Sequence, residues 1–154
     1  MSTIEQSVEV NVPVRTAYDQ WTQFEEFPRF MEGVETVEQI DDTHLHWIAK
    51  LGGAKREWDA QIDEQTPDQR IAWHSTTGAK NAGVVTFHRI ADGKTKVMLQ
   101  LEFDPEGFVE KAGDAVGVVR GRTKGDLERF KDFIEARGVQ TGSWRGSVDQ
   151  ESNR

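Results

Sequence analysis

The sequence predicts an α+β protein in which a curved antiparallel sheet of seven strands packs around a long C-terminal helix, with two short helices between strands 1 and 2. Three observations carry this prediction. Residues 3–12 alternate between apolar and polar side chains, residues 34–103 do so between regularly spaced turns, and the residues after Pro105 adopt an apolar period of three to four. A period of two is typical of half-buried strands, and the longer period is typical of amphipathic helices.

The N-terminal segment predicts one strand followed by the two short helices. Apolar side chains take alternate positions through residues 3–12, and Pro13 ends the strand while suiting the first turn of a helix. Residues 14–24 carry apolar side chains at helical spacing. Residues 27–31 predict a second short helix or turn, which Gly33 closes.

Turn-forming residues divide the middle of the chain into six further strands. Pairs and clusters of Asp, Gly and Pro recur at intervals of roughly 10–14 residues, the spacing expected of consecutive antiparallel strands. The predicted strands cover residues 34–40, 44–51, 55–65, 69–76, 82–90 and 94–103. Together with the first strand they make the sheet of seven.

The C-terminal third predicts one long helix that ends near Arg137, with Gly138 as its stop signal. Four glycines lie within this helix, and each costs about 0.8–1 kcal/mol relative to Ala. Room for a ligand, close approach to the sheet or to a second subunit, and local opening are the three hypotheses that would offset this cost. The glycines are Gly113, Gly117, Gly121 and Gly125.

Length and composition exclude several classes of protein. A chain of 154 residues suits one domain, predicted over residues 1–138, followed by a flexible polar tail over residues 139–154. The net charge of −8 argues against nucleic acid as a partner. With no long apolar run and no signal peptide, we expect no membrane span and a cytoplasmic location.

Motifs for common cofactors and metals are missing from the sequence. There is no cysteine, and the four histidines form no zinc-binding pattern, so we expect no metal site. No Walker loop, GxSxG elbow or strand-following GxGxxG occurs, so we expect no cofactor. Most carboxylates fall on the outer face of the sheet or in turns, and none is an evident acid–base catalyst.

Strand alternation also predicts which side chains face inward. The inward positions are mostly aromatic and aliphatic, which describes a small-molecule cavity. Plain core packing explains the tryptophans equally well, and Arg56 is either a residue at the cavity mouth or a surface residue. The candidate ligand-binding residues are Trp47, Arg56, Trp58, Trp73, Phe87, Leu99, Phe103 and Val119.

Several segments resemble the bacterial polyketide cyclase/dehydrase family of the START-like superfamily, also called SRPBCC or Bet v 1-like, which has the helix-grip fold. The resemblance covers about residues 3–137. It implies this fold for nearly the whole chain, and it leaves the chemistry open, because members bind diverse apolar molecules and only some are catalysts. The segments are VEVNVPVRTAYDQWTQFEEFPRFM, WDAQIDEQTPDQRIAWHS, GVVTFHRI, LEFDPEG and DLERFKDFIE.

Three functions remain open from the sequence. The first is binding of a small hydrophobic molecule, such as a polyketide, lipid or isoprenoid-like compound, between the sheet and the last helix. The second is a polyketide cyclase or dehydratase that acts in the same cavity, with Arg56 as the polar participant. The third is a protein-interaction module that uses the acidic surface or the glycine-bearing helix, and a homodimer is a further hypothesis.

Overall fold

A computed structural model describes residues 2–51, 53–105 and 112–149 of the chain. Its elements follow the predicted order. They are β1 (Ser2–Val10), α1 (Val14–Trp21), a 3-10 helix (Phe24–Arg29), β2 (Val34–Asp41), β3 (His44–Leu51), β4 (Ala54–Thr66), β5 (Arg70–Gly78), β6 (Asn81–Ala91), β7 (Lys94–Phe103) and α2 (Ala112–Arg137). The part of the predicted last helix that covers residues 106–111 lies outside the described residues.

The seven strands form a single antiparallel sheet in the order β1-β7-β6-β5-β4-β3-β2. Consecutive strands pair as hairpins from β2 to β7, and β1 returns to pair with β7, so that Ser2 lies opposite Phe103 and Val10 opposite Thr95. The N-terminal strand therefore forms one edge of the sheet and β2 forms the other. The predicted fold of a seven-stranded sheet with a long C-terminal helix is confirmed.

The alternation of buried and exposed side chains holds along most of β4, and one bulge interrupts it. Trp58, Ala60 and Ile62 are buried at every second position, but the register shifts between Ile62 and Glu64, and Gln65 becomes the next buried residue. A bulge inserts one extra residue and so changes which side chain faces the core. This is why strict alternation predicts the wrong face for the end of β4.

Helix α2 packs one face against the concave side of the sheet. The side chains on this face are buried. Gly138, at φ +74°, ends the helix, and its backbone N–H donates to the Ile134 carbonyl at 2.8 Å. Lys131 Nζ donates to the Glu9 carbonyl at 3.0 Å, which ties the helix to β1. The buried side chains are Ala115, Val119, Leu127, Phe130 and Ile134.

The glycines of α2 do not all mark a close approach. A Cβ added at Gly117 or Gly121 would meet nothing within 4 Å, and one at Gly125 would meet only the flexible end of Arg129. Close packing against the sheet therefore does not explain Gly117 and Gly121, which are exposed. The surroundings of Gly113 lie outside the described side chains.

Residues 140–149, which belong to the predicted tail, make specific contacts with the domain. Arg145 reaches the buried Asp19, with Nη1 to Oδ1 at 2.5 Å, and its Nη2 lies 2.9 Å from Asp68 Oδ2. Val148 forms a two-bond bridge with Gln65, at 2.7 and 2.9 Å. The polar composition of residues 140–149 does not predict this packing, because their partners are charged side chains and backbone groups. Residues 150–154 lie outside the described residues.

Candidate functional site

A cavity of about 140 Å³ lies between the sheet and α2. The strands contribute what we call the sheet wall: Leu45, Trp47, Ala49, Trp58, Ile62, Ile71, Trp73, Asn81, Leu99, Leu101 and Phe103. Helix α2 contributes the helix wall: Val119, Arg122, Thr123, Asp126 and Leu127. One end is closed by Trp21, Phe24, Phe27, Met31, Gly33 and Val34.

Three indole rings dominate the sheet wall. Trp47 and Trp58 are direct cross-strand partners, and their rings stack with centroids 5.6 Å apart and planes 11° apart. Trp73 donates its Nε1–H to Asn81 Oδ1 at 3.3 Å. Gly83, the cross-strand partner of Trp73, leaves room for that ring, because a Cβ there would lie 2.6 Å from it. These contacts fix the rings as a rigid apolar surface.

The closed end is an aromatic cluster built by α1 and the 3-10 helix. Trp21 meets the Phe130 ring of α2 at 5.1 Å and the Phe27 ring at 5.4 Å, both in edge or tilted geometry. Phe30 also contacts Phe130, at 5.3 Å. Large rings buried between the two helices account for how the short segment after β1 seals this end of the cavity.

A network of four charged residues lies where the helix wall meets the loop before β2. Asp126 Oδ1 accepts from Arg129 Nη2 at 2.5 Å and from the Glu32 backbone N–H at 3.2 Å. The Glu32 carboxylate pairs with Arg122 and with Arg129, both at 3.3 Å. The Glu32 side chain is 66% exposed and that of Asp126 only 13%, so the network runs from the surface to the cavity.

Burial raises the pKa of the Asp126 carboxyl above its ordinary value, and the Arg129 guanidinium only partly opposes this effect. Among the residues that line the cavity, Asp126 is thus a carboxyl group in a sheltered environment. The sequence did not single it out. The signal was present, since Asp126 lies seven positions after Val119 and four before Phe130, on the inner face of the helix.

Six of the eight sequence-predicted candidates line the cavity, namely Trp47, Trp58, Trp73, Leu99, Phe103 and Val119. Phe87 does not, because it points toward α1, where its ring meets Tyr18 at 5.4 Å and Trp21 at 6.3 Å. Arg56 does not line it either. It lies close to the β3–β4 turn, partly exposed, with Nη1 donating to the Lys55 carbonyl at 3.2 Å.

A family described as "Polyketide cyclase / dehydrase and lipid transport" matches residues 10–132 of the chain. The chain belongs to this family. An uncharacterized 17.2 kDa protein from the melC2-rnhH intergenic region of Streptomyces lincolnensis is 59% identical over 149 residues, which cover 96% of this chain and 99% of that protein. The resemblance seen in the sequence is therefore confirmed at the level of the family.

Solved structures show that other proteins share the fold of this member of the polyketide cyclase/dehydrase family. The ZhuI aromatase/cyclase of Streptomyces sp. R1128 aligns with a TM-score of 0.76 and 16% identity, over 93% of this chain and 99% of that one. A START superfamily protein of Mycobacterium smegmatis aligns with a TM-score of 0.72 and 11% identity, over 88% and 98%. At these identities the likeness shows the fold and leaves the activity open.

The described residues of this family member contain neither a metal-binding cluster nor a membrane-spanning helix. The part of the chain that the structure describes contains no group of three or more His, Asp or Glu side chains placed to hold a metal ion. None of the described helices is both long enough and apolar enough to span a bilayer. Two of the histidines pair with carboxylates on the outer face of the sheet, His46 with Asp59 and Glu57 and His74 with Asp63.

Proposed function

We propose that this protein binds a small, largely apolar molecule in the cavity between the sheet wall and the helix wall. The observation that carries the proposal is the cavity itself, about 140 Å³ in volume and lined by four tryptophans, three of them in the sheet wall. A ligand that fills it recovers van der Waals contacts that the protein alone lacks.

The volume indicates the scale of the ligand. An engineered apolar cavity of about 150 Å³ in another protein binds benzene, so the space here holds one ring fully, and the second ring of a probe such as naphthalene would reach its edge. A larger ligand would extend toward Arg122, the lining residue that pairs with the exposed Glu32. The family description, which names polyketides and lipids, supports an apolar ligand of this kind.

Cyclisation or dehydration of a polyketide chain is a second candidate function. It is favoured by the sheltered Asp126 carboxyl in the helix wall and by the shared fold of an aromatase/cyclase. Arg56, which the sequence suggested as the polar participant, stands outside the cavity lining. Turnover of a poly-β-ketone mimic, reduced in Asp126→Asn, would distinguish this function from binding alone.

Naphthalene titration followed by NMR tests the proposed function. The indole N–H signals of Trp47, Trp58 and Trp73 should shift in a saturable way, while that of Trp144, which lies outside the cavity lining, should not. Ala49→Phe places a ring in the cavity and should abolish the shifts. Ile48→Phe puts the same ring on the opposite face of β3 and serves as the matched control. Equal binding by the two variants would refute the proposal.

A further inference from the structure

The two carboxylate oxygens of Asp126 in the helix wall differ in their hydrogen bonding. Among the groups that the structure describes, Asp126 accepts hydrogen bonds at Oδ1, from Arg129 and from the Glu32 backbone, and Oδ2 accepts none. The Asp126 side chain is 13% exposed and lines the cavity, so this accessible oxygen is available to a molecule bound there. A sheltered carboxylate oxygen with no donor gains more from a new hydrogen bond than an exposed one does.

Thr123 adds a second acceptor beside it. Its hydroxyl proton is directed to the backbone of its own helix, with Oγ1 3.0 Å from the carbonyl oxygens of both Val119 and Arg120. A hydroxyl oxygen has two lone pairs and only one proton. What Thr123 can still offer to a molecule in the cavity is therefore an acceptor.

The four charged residues of the network beside the helix wall have a net charge of zero. Arg122 and Arg129 supply two positive charges, and Glu32 and the ionised Asp126 supply two negative ones, all joined by the ion pairs of the network. A ligand with an anionic group would place an unmatched charge near Asp126 and Glu32, and an ammonium group would do so near the arginines. Unpaired charge in a sheltered site is expensive, so a neutral ligand fits best.

We infer that the ligand is an uncharged apolar molecule with a hydroxyl group at the end that meets the helix wall. This inference rests on the proposed function. The hydroxyl proton would be donated to Asp126 Oδ2 or Thr123 Oγ1, and its oxygen can accept from the N–H groups of Arg122 that do not face Glu32. A ketone has no proton to donate and would leave both acceptors unmet. Asp126 and Thr123 thus supply the acceptors of the cavity, opposite a mainly apolar sheet wall whose Trp47 Nε1–H is a buried donor without a partner among the described residues.

Three two-ring probes of similar size separate this inference from the proposed function. In the same NMR titration, 2-naphthol should bind roughly tenfold more tightly than naphthalene, as expected for one hydrogen bond to a charged group. 2-Naphthoate, whose carboxylate replaces the hydroxyl, should bind most weakly of the three. If naphthalene and 2-naphthol bind equally, the inference fails while the proposed function stands. If neither binds, the proposed function fails and the inference falls with it.

Variants then assign the preference to residues. Asp126→Asn and Thr123→Val should each reduce the ratio of 2-naphthol affinity to naphthalene affinity, measured within the same variant, to less than about threefold. Asp132→Asn, at an exposed position of the same helix, is the matched control and should keep the full preference. Because Asp126 also holds Arg129, Thr123→Val provides the test if Asp126→Asn does not fold. An unchanged preference in the folded variants would overturn the inference.

Discussion

The two walls of the cavity differ in what they present to a ligand. The sheet wall is mainly aromatic and aliphatic: Asn81 accepts from Trp73, and the buried Trp47 Nε1–H has no partner among the described residues. The helix wall alternates the apolar Val119 and Leu127 with three polar side chains, one of which is a sheltered carboxyl group. The sheet wall therefore accounts for affinity through burial, whereas the helix wall carries the groups that can discriminate between ligands.

The walls also differ in their backbone constraints. Gly83, the cross-strand partner of the sheet-wall residue Trp73, is required by the Trp73 ring, which lies where a Cβ would be. Gly117 and Gly121 in the helix have open space around them. The strands are thus specified by contacts in the folded domain, while the exposed side of α2 tolerates residues of poor helix propensity without a packing reason. This contrast predicts opposite effects of substitution on the two sides.

The largest effect is expected in the sheet wall. Trp58→Ala should lower the free energy of unfolding by about 3–5 kcal/mol, because it removes a buried indole and its stacking contact with Trp47. Urea denaturation monitored by circular dichroism would measure this change. Trp144→Ala is the control, since Trp144 is half-buried in the C-terminal segment outside the cavity lining. A comparable loss in both variants would contradict the special role of the sheet wall.

A smaller effect of opposite sign is expected on the helix. Gly117→Ala and Gly121→Ala should each raise the free energy of unfolding by about 0.5–1 kcal/mol, because Ala is the better helix former and its methyl group meets no neighbour. Gly78→Ala is the contrasting variant. Gly78 has φ +75°, and a Cβ added there would collide with the backbone oxygen of Glu57. The Gly78→Ala variant should therefore have a strongly reduced free energy of unfolding. Destabilisation by Gly117→Ala would indicate that the glycines of α2 serve a packing or binding role.

The smallest effect is expected on the outer face, where polar groups are paired and exposed. His46 Nδ1 lies 2.5 Å from Asp59 Oδ1 and Nε2 lies 2.6 Å from Glu57 Oε2, and these carboxylates, Asp59 first, raise the pKa of His46. A raised pKa in the folded state means that the stabilisation is fully present below the ordinary histidine pKa of about 6.5 and is lost as pH rises through the raised value.

His46→Gln should therefore flatten the dependence of Tm on pH between about pH 6 and pH 8. Calorimetric melting at several pH values would show this. His88→Gln is the control, because the described contacts of His88 include the Thr86 hydroxyl but no carboxylate. If the parent protein and His46→Gln show the same pH profile, the His46 pair does not contribute to stability.

The sequence is sufficient to predict which tryptophans of the sheet face the cavity, but it does not identify the polar residues of the helix wall. The reason is physical. Period-two alternation identifies inward residues directly, so Trp47, Trp58 and Trp73 could be found without coordinates. Asp126 lies on the apolar face of its helix. Its role depends on which loop packs opposite, and the Glu32 backbone that donates to it is 94 residues away in the chain. The bulge in β4 and the Arg145 contact to Asp19 likewise depend on tertiary partners. Arg56 and Phe87 share the inward register and still miss the cavity, because alternation gives the face but not the position along it.

Native mass spectrometry of the purified protein, with extraction and identification of any bound molecule, tests most directly whether the cavity holds a ligand. One apolar molecule per chain is expected, either co-purified or acquired from added naphthalene, and it should be absent from Ala49→Phe while present in Ile48→Phe. A protein that stays empty after exposure to naphthalene would contradict the proposed function. So would an adduct that Ala49→Phe retains in full.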